Sequence, residues 1–325
     1  MPVSGWASAR GGSRRTTLVS FAAFCAAVPL VAAAPSYGAL LVGTLALGAA
    51  NGALDVAMNA HGVAVERRHP EPILSSFHAA FSVGGLTGAL GGAAAAAAGV
   101  DVRWHVLAVA VPSLVAGMAV CRRLLPAEAD DLGDDAGPLL AIPPRAIWAV
   151  GAVAFCALLA EGAAADWSAV YVRESLGGAA AVASLAFAAF SLTMTAGRLV
   201  GDRLTTAWGP VALVRRGGLV SALGAALLIA HPVAAMAGFA CLGAGLATMV
   251  PVVFRAASVL PGLTPGVGIA AVSTMGYAGF LVGPPLVGGI SELTSLPLAL
   301  VMLVALALLM AALAPRVRPP LPQPV

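Results

Sequence analysis

The chain is predicted to fold as an all-α polytopic membrane protein, and three observations predict it. Of its 325 residues 60% are hydrophobic and only 10% are charged, whereas a soluble domain carries roughly 25% charged residues. Its mean hydropathy is +0.96. Its apolar runs, rich in Ala, Leu and Val, are long enough for helices to cross a bilayer and lack the alternation of barrel strands. With lipid as the solvent, each crossing must satisfy its own backbone hydrogen bonds, as a helix does.

At about twenty residues per crossing, ten spans are predicted. The first, 17–34, stops at Pro35, and the second, 38–63, carries Asp55 inside an apolar run. The third, 72–98, holds Gly84, Gly88 and Gly92 on one ridge, spacing that lets another helix approach closely. The fourth, 103–121, ends before the arginine pair Arg122-Arg123, and the fifth, 146–170, follows the longest connection. The sixth and seventh, 178–200 and 210–230, flank a polar stretch, and Pro232 opens the eighth, 233–257. The ninth, 265–290, contains the Gly283-Pro284-Pro285 break, which predicts a bent helix. The tenth, 296–314, starts at Pro297, proline being compatible with a first helical turn.

Charge sets the predicted orientation. With the N-terminus cytoplasmic, the inner segments hold Arg10, Arg14, Arg15, Arg67, Arg68, Arg122, Arg123, Arg145, Arg198, Arg203, Arg215, Arg216, Arg255, Arg316 and Arg318. The outer segments hold Arg103 and Arg173, and this bias of fifteen against two places both termini inside. Every basic residue is Arg, which with the abundant Ala suggests a GC-rich bacterial genome and hence a bacterial cytoplasmic membrane. The connection 122–145, with Glu128, Asp130, Asp131, Asp134 and Asp135, reads as a flexible acidic linker. It divides four spans in 1–121 from six in 146–325. Cys25, Cys121, Cys156 and Cys241 have no metal-ligand spacing and read as small apolar residues of the spans. No nucleic-acid site is expected, and the N-terminus lacks the charged-then-apolar order of a signal peptide.

Two segments share a pattern across the linker: GWASARGGSRR from Gly5, and GRLVGDRLTTAWGPVALVRR from Gly197. Each combines Gly, Arg and a further Gly with a later arginine pair. This resembles the loop signature of the major facilitator superfamily, which recurs once in each half of those twelve-helix transporters. The resemblance continues through DVAMNAHGVAVER, SSFHAAFSVGGLTGALGG, EGAAADWSAVYVRE, TMTAGRLVGDRL and STMGYAGFLVGPPLVGG, which together look like the bacterial fucose-permease-like, sugar-transporter-type branch. It implies a two-bundle fold in which substrate passes between halves that rock about a central site. It also implies a cytoplasmic gate built on Arg10, Gly12, Arg14 and Arg15 in the first copy and Gly197, Asp202 and Arg203 in the second. The usual acidic position of the first copy is Ala9. In the family this loop follows the second span, so MPVSGW reads as the tail of an absent helix, and two N-terminal helices are expected to be lacking, leaving 4 + 6.

Ionisable residues within spans are the candidates for chemistry. A charge at a helix centre costs roughly 2.5–3.5 kcal/mol on insertion scales, so Asp55 should not face lipid. Asn51, Asp55 and Asn59 lie at i, i+4 and i+8, on one face, with Gly48 and Gly52 giving close packing on nearly the same side. A carboxylate in low dielectric takes up a proton more readily than in water. By resemblance Asp55 is linked to proton coupling; the alternative is a hydrogen-bonded cluster that holds helices together. Glu161 and Asp166 are about 140° apart around their helix, with Glu161 nearer mid-membrane and Asp166 a gate or packing residue beside Trp167. His78, with Ser82 one turn on, titrates in the physiological range or serves as a satisfied hydrogen-bonding residue. Tyr277 is a candidate hydrogen-bond donor to substrate, and Arg255 reads as a snorkelling interfacial charge.

These features predict a secondary transporter of a small polar solute, proton-coupled, with Asp55 as the proton or substrate site. Export of a drug-like compound is the alternative substrate class. A truncated, non-transporting or partner-dependent membrane protein is the alternative function. The chain has no GxxxxGK[ST] loop, HExxH or GxSxG, so neither an ATP motor nor an enzyme is expected. No cofactor or metal is expected beyond the proton as coupling ion. The expected partners are the solute and the lipid bilayer, and the expected state is a monomer.

Overall fold

The computed structural model describes residues 1–126, 145–228 and 232–318, and the acidic run of the linker lies outside them. Helices joined by short turns make up the described residues, with no strand among them: α1 (Pro2–Gly11), α2 (Ser13–Ala32), α3 (Tyr37–Glu66), α4 (Leu74–Ala97), α5 (Val102–Cys121), α6 (Arg145–Val170), α7 (Ala180–Leu227), α8 (Pro232–Leu246), α9 (Met249–Ala257), α10 (Pro265–Leu293) and α11 (Leu296–Leu313). Nine helical stretches among the described residues are long and apolar enough to cross a membrane.

The elements depart from the expected spans where glycine and proline act on the backbone. The sixth and seventh spans join in α7, whose one non-helical residue is Gly209 at φ 72°, ψ 162°. Pro210 pushes its predecessor out of the α region, and only glycine occupies this positive-φ conformation without strain. The polar stretch expected as a loop, 201–208, is therefore helix. The candidate stretch Leu185–Leu227 has 43 residues. At 1.5 Å per residue it is about 65 Å long, twice the roughly 30 Å hydrocarbon core, so the Gly209 break divides two crossings. The eighth span breaks in the opposite sense: α8 ends at Leu246 and α9 begins at Met249. Pro251 lacks an N–H and its ring clashes with the carbonyl four residues back, at Ala247, where the turn lies. Pro284 and Pro285 do not interrupt α10, which runs as one helix.

At the start of the chain Pro2–Gly11 forms a ten-residue helix. It stops at Gly12, which has φ 82°, ψ 147°, before α2 begins. Gly12 and Gly209 thus break the chain at the corresponding glycines of the two repeated segments. Each copy also stacks an arginine on a tryptophan, Arg10 on Trp6 at 4.6 Å and Arg216 on Trp208 at 4.4 Å.

The described residues form two compact units. One contains Met1–Arg68, the α4–α5 stretch from Phe81, and Pro261–Ala271. The other contains His69–Ala80, the helices from α6 to Leu260, and the chain from Val272. In the first, α1 and α10 meet at backbone distance, since a methyl on Gly5 would lie 2.8 Å from the Gly266 carbonyl oxygen. The second is densely packed. Methyls on Gly224 and Gly238 would each lie 2.6 Å from the other's carbonyl oxygen, so α7 and α8 touch through small residues. Tyr171, fully buried in the π-helical turn Tyr171–Ser175, donates its hydroxyl to the Leu228 carbonyl at the end of α7.

The expected glycine ridge of α4 does not serve as a contact. Added methyls on Gly84 and Gly88 would meet nothing within 4 Å, and one on Gly92 would meet only His105 at 4.0 Å. Small residues permit a close approach, but no described helix makes one there.

Candidate functional site

On α3 the polar face exists and is graded in depth: Asn51 is exposed, Asp55 half-buried and Asn59 buried. The Asn59 amide nitrogen donates to the Asp55 backbone carbonyl at 2.8 Å and to its carboxylate oxygen at 3.2 Å. One side chain thus supports both the helix turn and the charge it carries. Gly52 packs beside the Met1 side chain, 3.5 Å from an added methyl, whereas Gly48 is exposed with nothing within 4 Å. The close packing expected at both glycines occurs at Gly52 alone.

The second site lies in the other unit. Glu161 of α6 faces Arg198 of α7 at 3.7 Å, their side chains 26% and 9% exposed. A buried arginine in an apolar helix is expensive unless compensated, and Glu161 supplies the countercharge. His78, half-buried near the start of α4, lies within electrostatic range of Arg198. Its ring tilts against Phe254 of α9 at 6.1 Å. The structure thus gathers His78, Glu161 and Arg198. Asp166 is exposed farther along α6, and Tyr277 is 36% exposed on α10. The glycines around Tyr277 pack α10 on α6: a methyl on Gly283 would lie 3.0 Å from the Leu159 carbonyl oxygen. Trp167 donates its indole N–H to the Pro284 carbonyl at 3.2 Å.

Arg198 was assigned on sequence to the orientation-setting charges. It sits within the apolar TMTAGRL run, and its burial there at 8% exposure separates it from an orienting surface charge. His61, a single histidine late in α3, also escaped notice. It is 4% exposed, its Nδ1 lies 2.7 Å from the Ser13 hydroxyl, and the Leu125 N–H donates to its Nε2 at 3.2 Å. A backbone N–H only donates, so Nε2 is the acceptor, and a neutral ring with its proton on Nδ1 satisfies both bonds.

The residues expected on sequence to form a gate have distinct local contacts. The Asp202 carboxylate accepts the Ser75 N–H at 2.9 Å, the Ser76 N–H at 2.8 Å and the Ser76 hydroxyl at 2.5 Å. It thereby caps the N-terminus of α4 with a full charge. Gly197 lets α7 approach α8, an added methyl lying 2.5 Å from the Ala247 Cβ. Arg14 donates to the Arg122 carbonyl at 2.8 Å, closing the C-terminus of α5. Arg15 and Arg203 are exposed, and Arg10 is held on Trp6.

No protein-family model matches the chain. It is 34% identical over 314 residues to an uncharacterized MFS-type transporter of Yersinia pestis, covering 96% of this chain and 81% of that protein. It is also 34% identical to the membrane protein MosC of Rhizobium meliloti, covering 96% and 76%. An uncharacterized transporter of Sinorhizobium fredii, y4wD, is 31% identical over 97% of this chain and 84% of its own length. Among solved structures, a variant of the E. coli fucose:proton symporter FucP matches with a TM-score of 0.80 at 15% identity, over 97% of this chain and 86% of that one. The human organic anion transporter MFSD10 matches at 0.79 and 18% identity, over 96% and 79%.

Proposed function

The chain belongs to the major facilitator superfamily, and from that membership we propose that it is a proton-coupled secondary transporter of a small polar solute, working by alternating access. The observation that carries the reading is Asp55: a carboxylate kept half-buried in an apolar span, with Asn59 holding it at 3.2 Å. Such a group is costly in a membrane and is retained where a charge or proton must pass. In this reading Asp55 is the proton or substrate site, with Asn51 and Asn59 on the same face. Glu161 is the second proton acceptor: when it is neutralised, Arg198 is released to take another partner. His78 and Tyr277 supply hydrogen bonds to the solute, and Asp166 lies nearer the surface. The segments with Arg10, Gly12, Arg14, Arg15, Gly197, Asp202 and Arg203 form the cytoplasmic gate. FucP, one of the structural matches, is itself a fucose:proton symporter, which makes sugars the first solutes to screen. The protein is placed in a bacterial cytoplasmic membrane as a monomer with both termini inside.

The test is uptake by reconstituted protein, screened over sugars and other small solutes with and without an imposed pH gradient. The wild type should accumulate its solute only with the gradient. Asp55→Asn, which keeps shape and removes the charge, should lose accumulation while retaining exchange across equal pH. Gradient-driven accumulation undiminished in Asp55→Asn would remove that residue from coupling. Export of drug-like compounds would appear as gradient-driven efflux from the same vesicles.

A further inference from the structure

The two repeated segments end differently at the helix each one meets. In the second, Asp202 caps the N-terminus of α4 through three hydrogen bonds. In the first, α1 meets the N-terminus of α10 at Pro265-Gly266, with Ser8 and Ala9 beside it. No carboxylate lines that meeting point.

A cavity of about 20 Å³ occupies this place, entirely within the unit that holds α1, α3 and the start of α10. Ser8, Ala9, Ser13, Arg67, Thr264 and Gly266 line it, and none of its lining residues is acidic. Pro265 has no N–H and the Gly268 N–H bonds the Thr264 carbonyl, so the amides of Gly266 and Val267 are the ones without a partner within the helix, and the helix dipole adds positive potential. Independently of the helix end, Ser8 is 4% exposed and its hydroxyl has no hydrogen-bond partner, nor has the buried hydroxyl of Thr264. Two donors, an arginine and a helix N-terminus converge on a space that admits one water-sized occupant.

The geometry points to a binding site for a monatomic anion of chloride size, standing against the N-terminus of α10 as the Asp202 carboxylate stands against that of α4. The anion would accept from Ser8, Thr264 and the N-terminus of α10, and so hold α10 against α1. The inference does not depend on which solute is carried or on what drives it.

Thermal unfolding of the full chain in lipid nanodiscs tests it, with sodium chloride, sodium bromide or sodium gluconate at constant ionic strength. The wild type should show a saturable rise in Tm with chloride and bromide, and none with gluconate. Ala9→Asp should unfold at the same temperature in all three salts, because its carboxylate occupies the site. Ser8→Ala, which adds no atom and guards against misfolding of Ala9→Asp, should raise the half-saturating chloride concentration roughly tenfold, the order expected for losing a hydrogen bond to a charge. Equal Tm values for the wild type in chloride and gluconate would overturn the site, leaving water as the occupant. A chloride response of unchanged midpoint in Ser8→Ala would overturn it as well, placing the anion elsewhere.

Discussion

Arg198 carries a charge that its apolar helix cannot present to lipid, and its neighbourhood shows how that charge is accommodated. With the pair 3.7 Å apart and Arg198 nearly buried, removing one partner strands the other, which typically costs roughly 3–5 kcal/mol. Arg198→Gln should therefore lower the unfolding temperature sharply, and adding Glu161→Gln to it should recover most of the loss. A double variant no more stable than Arg198→Gln would mean that the pair contributes nothing as a pair. At this scale the sequence was readable where one helix carries the pattern. Asn51, Asp55 and Asn59 declare a common face by spacing alone, and the Asn59–Asp55 contact follows from it. It was unreadable where the partner is remote, because Glu161 and Arg198 are joined only by packing of α6 and α7, and a position within an apolar run does not name the countercharge. His61 was missed for the same reason, since its partners Ser13 and Leu125 lie 48 and 64 residues away.

At the scale of elements, the repeated segment is a way to end one helix, turn, and secure the start of another. Gly12 and Gly209 make the turn, and Asp202 secures α4. The Asp202 carboxylate meets two amide N–H groups and a hydroxyl, so Asp202→Asn keeps the shape but loses the charge that strengthens all three bonds. A cap of this kind contributes about 1–2 kcal/mol. Asp202→Ala should lower the unfolding free energy by about that much, and Asp202→Asn, which keeps one acceptor oxygen, and Ser76→Ala, which removes one bond of the three, by less. An Asp202→Ala protein as stable as the wild type would show that the cap is incidental. The helices themselves were legible from apolar length, because lipid forces any crossing to be a helix. Their breaks were less so: Pro251 divides α8 from α9 while Pro284-Pro285 leaves α10 intact. A proline frees the carbonyl four residues before it, so whether the helix breaks there is decided by the surroundings of that carbonyl and not by the residue type alone.

For the molecule as a whole, the number of crossings and the side on which the chain ends are one question. Nine apolar stretches would put the termini on opposite sides of the membrane; ten put them together. The difference rests on Leu185–Leu227, which at about 65 Å is too long for one crossing of a roughly 30 Å core, and which Gly209 breaks near its middle. The arginines point the same way. Setting aside Arg198, whose charge is matched by Glu161, leaves fourteen of the original fifteen on the inner side against Arg103 and Arg173, still a strong positive-inside bias. Green fluorescent protein, which does not fluoresce when exported unfolded, should therefore be bright when fused after Arg318. Alkaline phosphatase, active only outside, should be active when fused after Arg173. A dark C-terminal fusion joined to an active one after Arg173 would mean an odd number of crossings, and Leu185–Leu227 would then have to span once. In that case Arg203 and Arg10, at corresponding places in the two repeats, would lie on opposite faces of the membrane, and the repeat could not form a gate on one side. The fusion experiment thus bears on the gate through topology alone, without a substrate in hand.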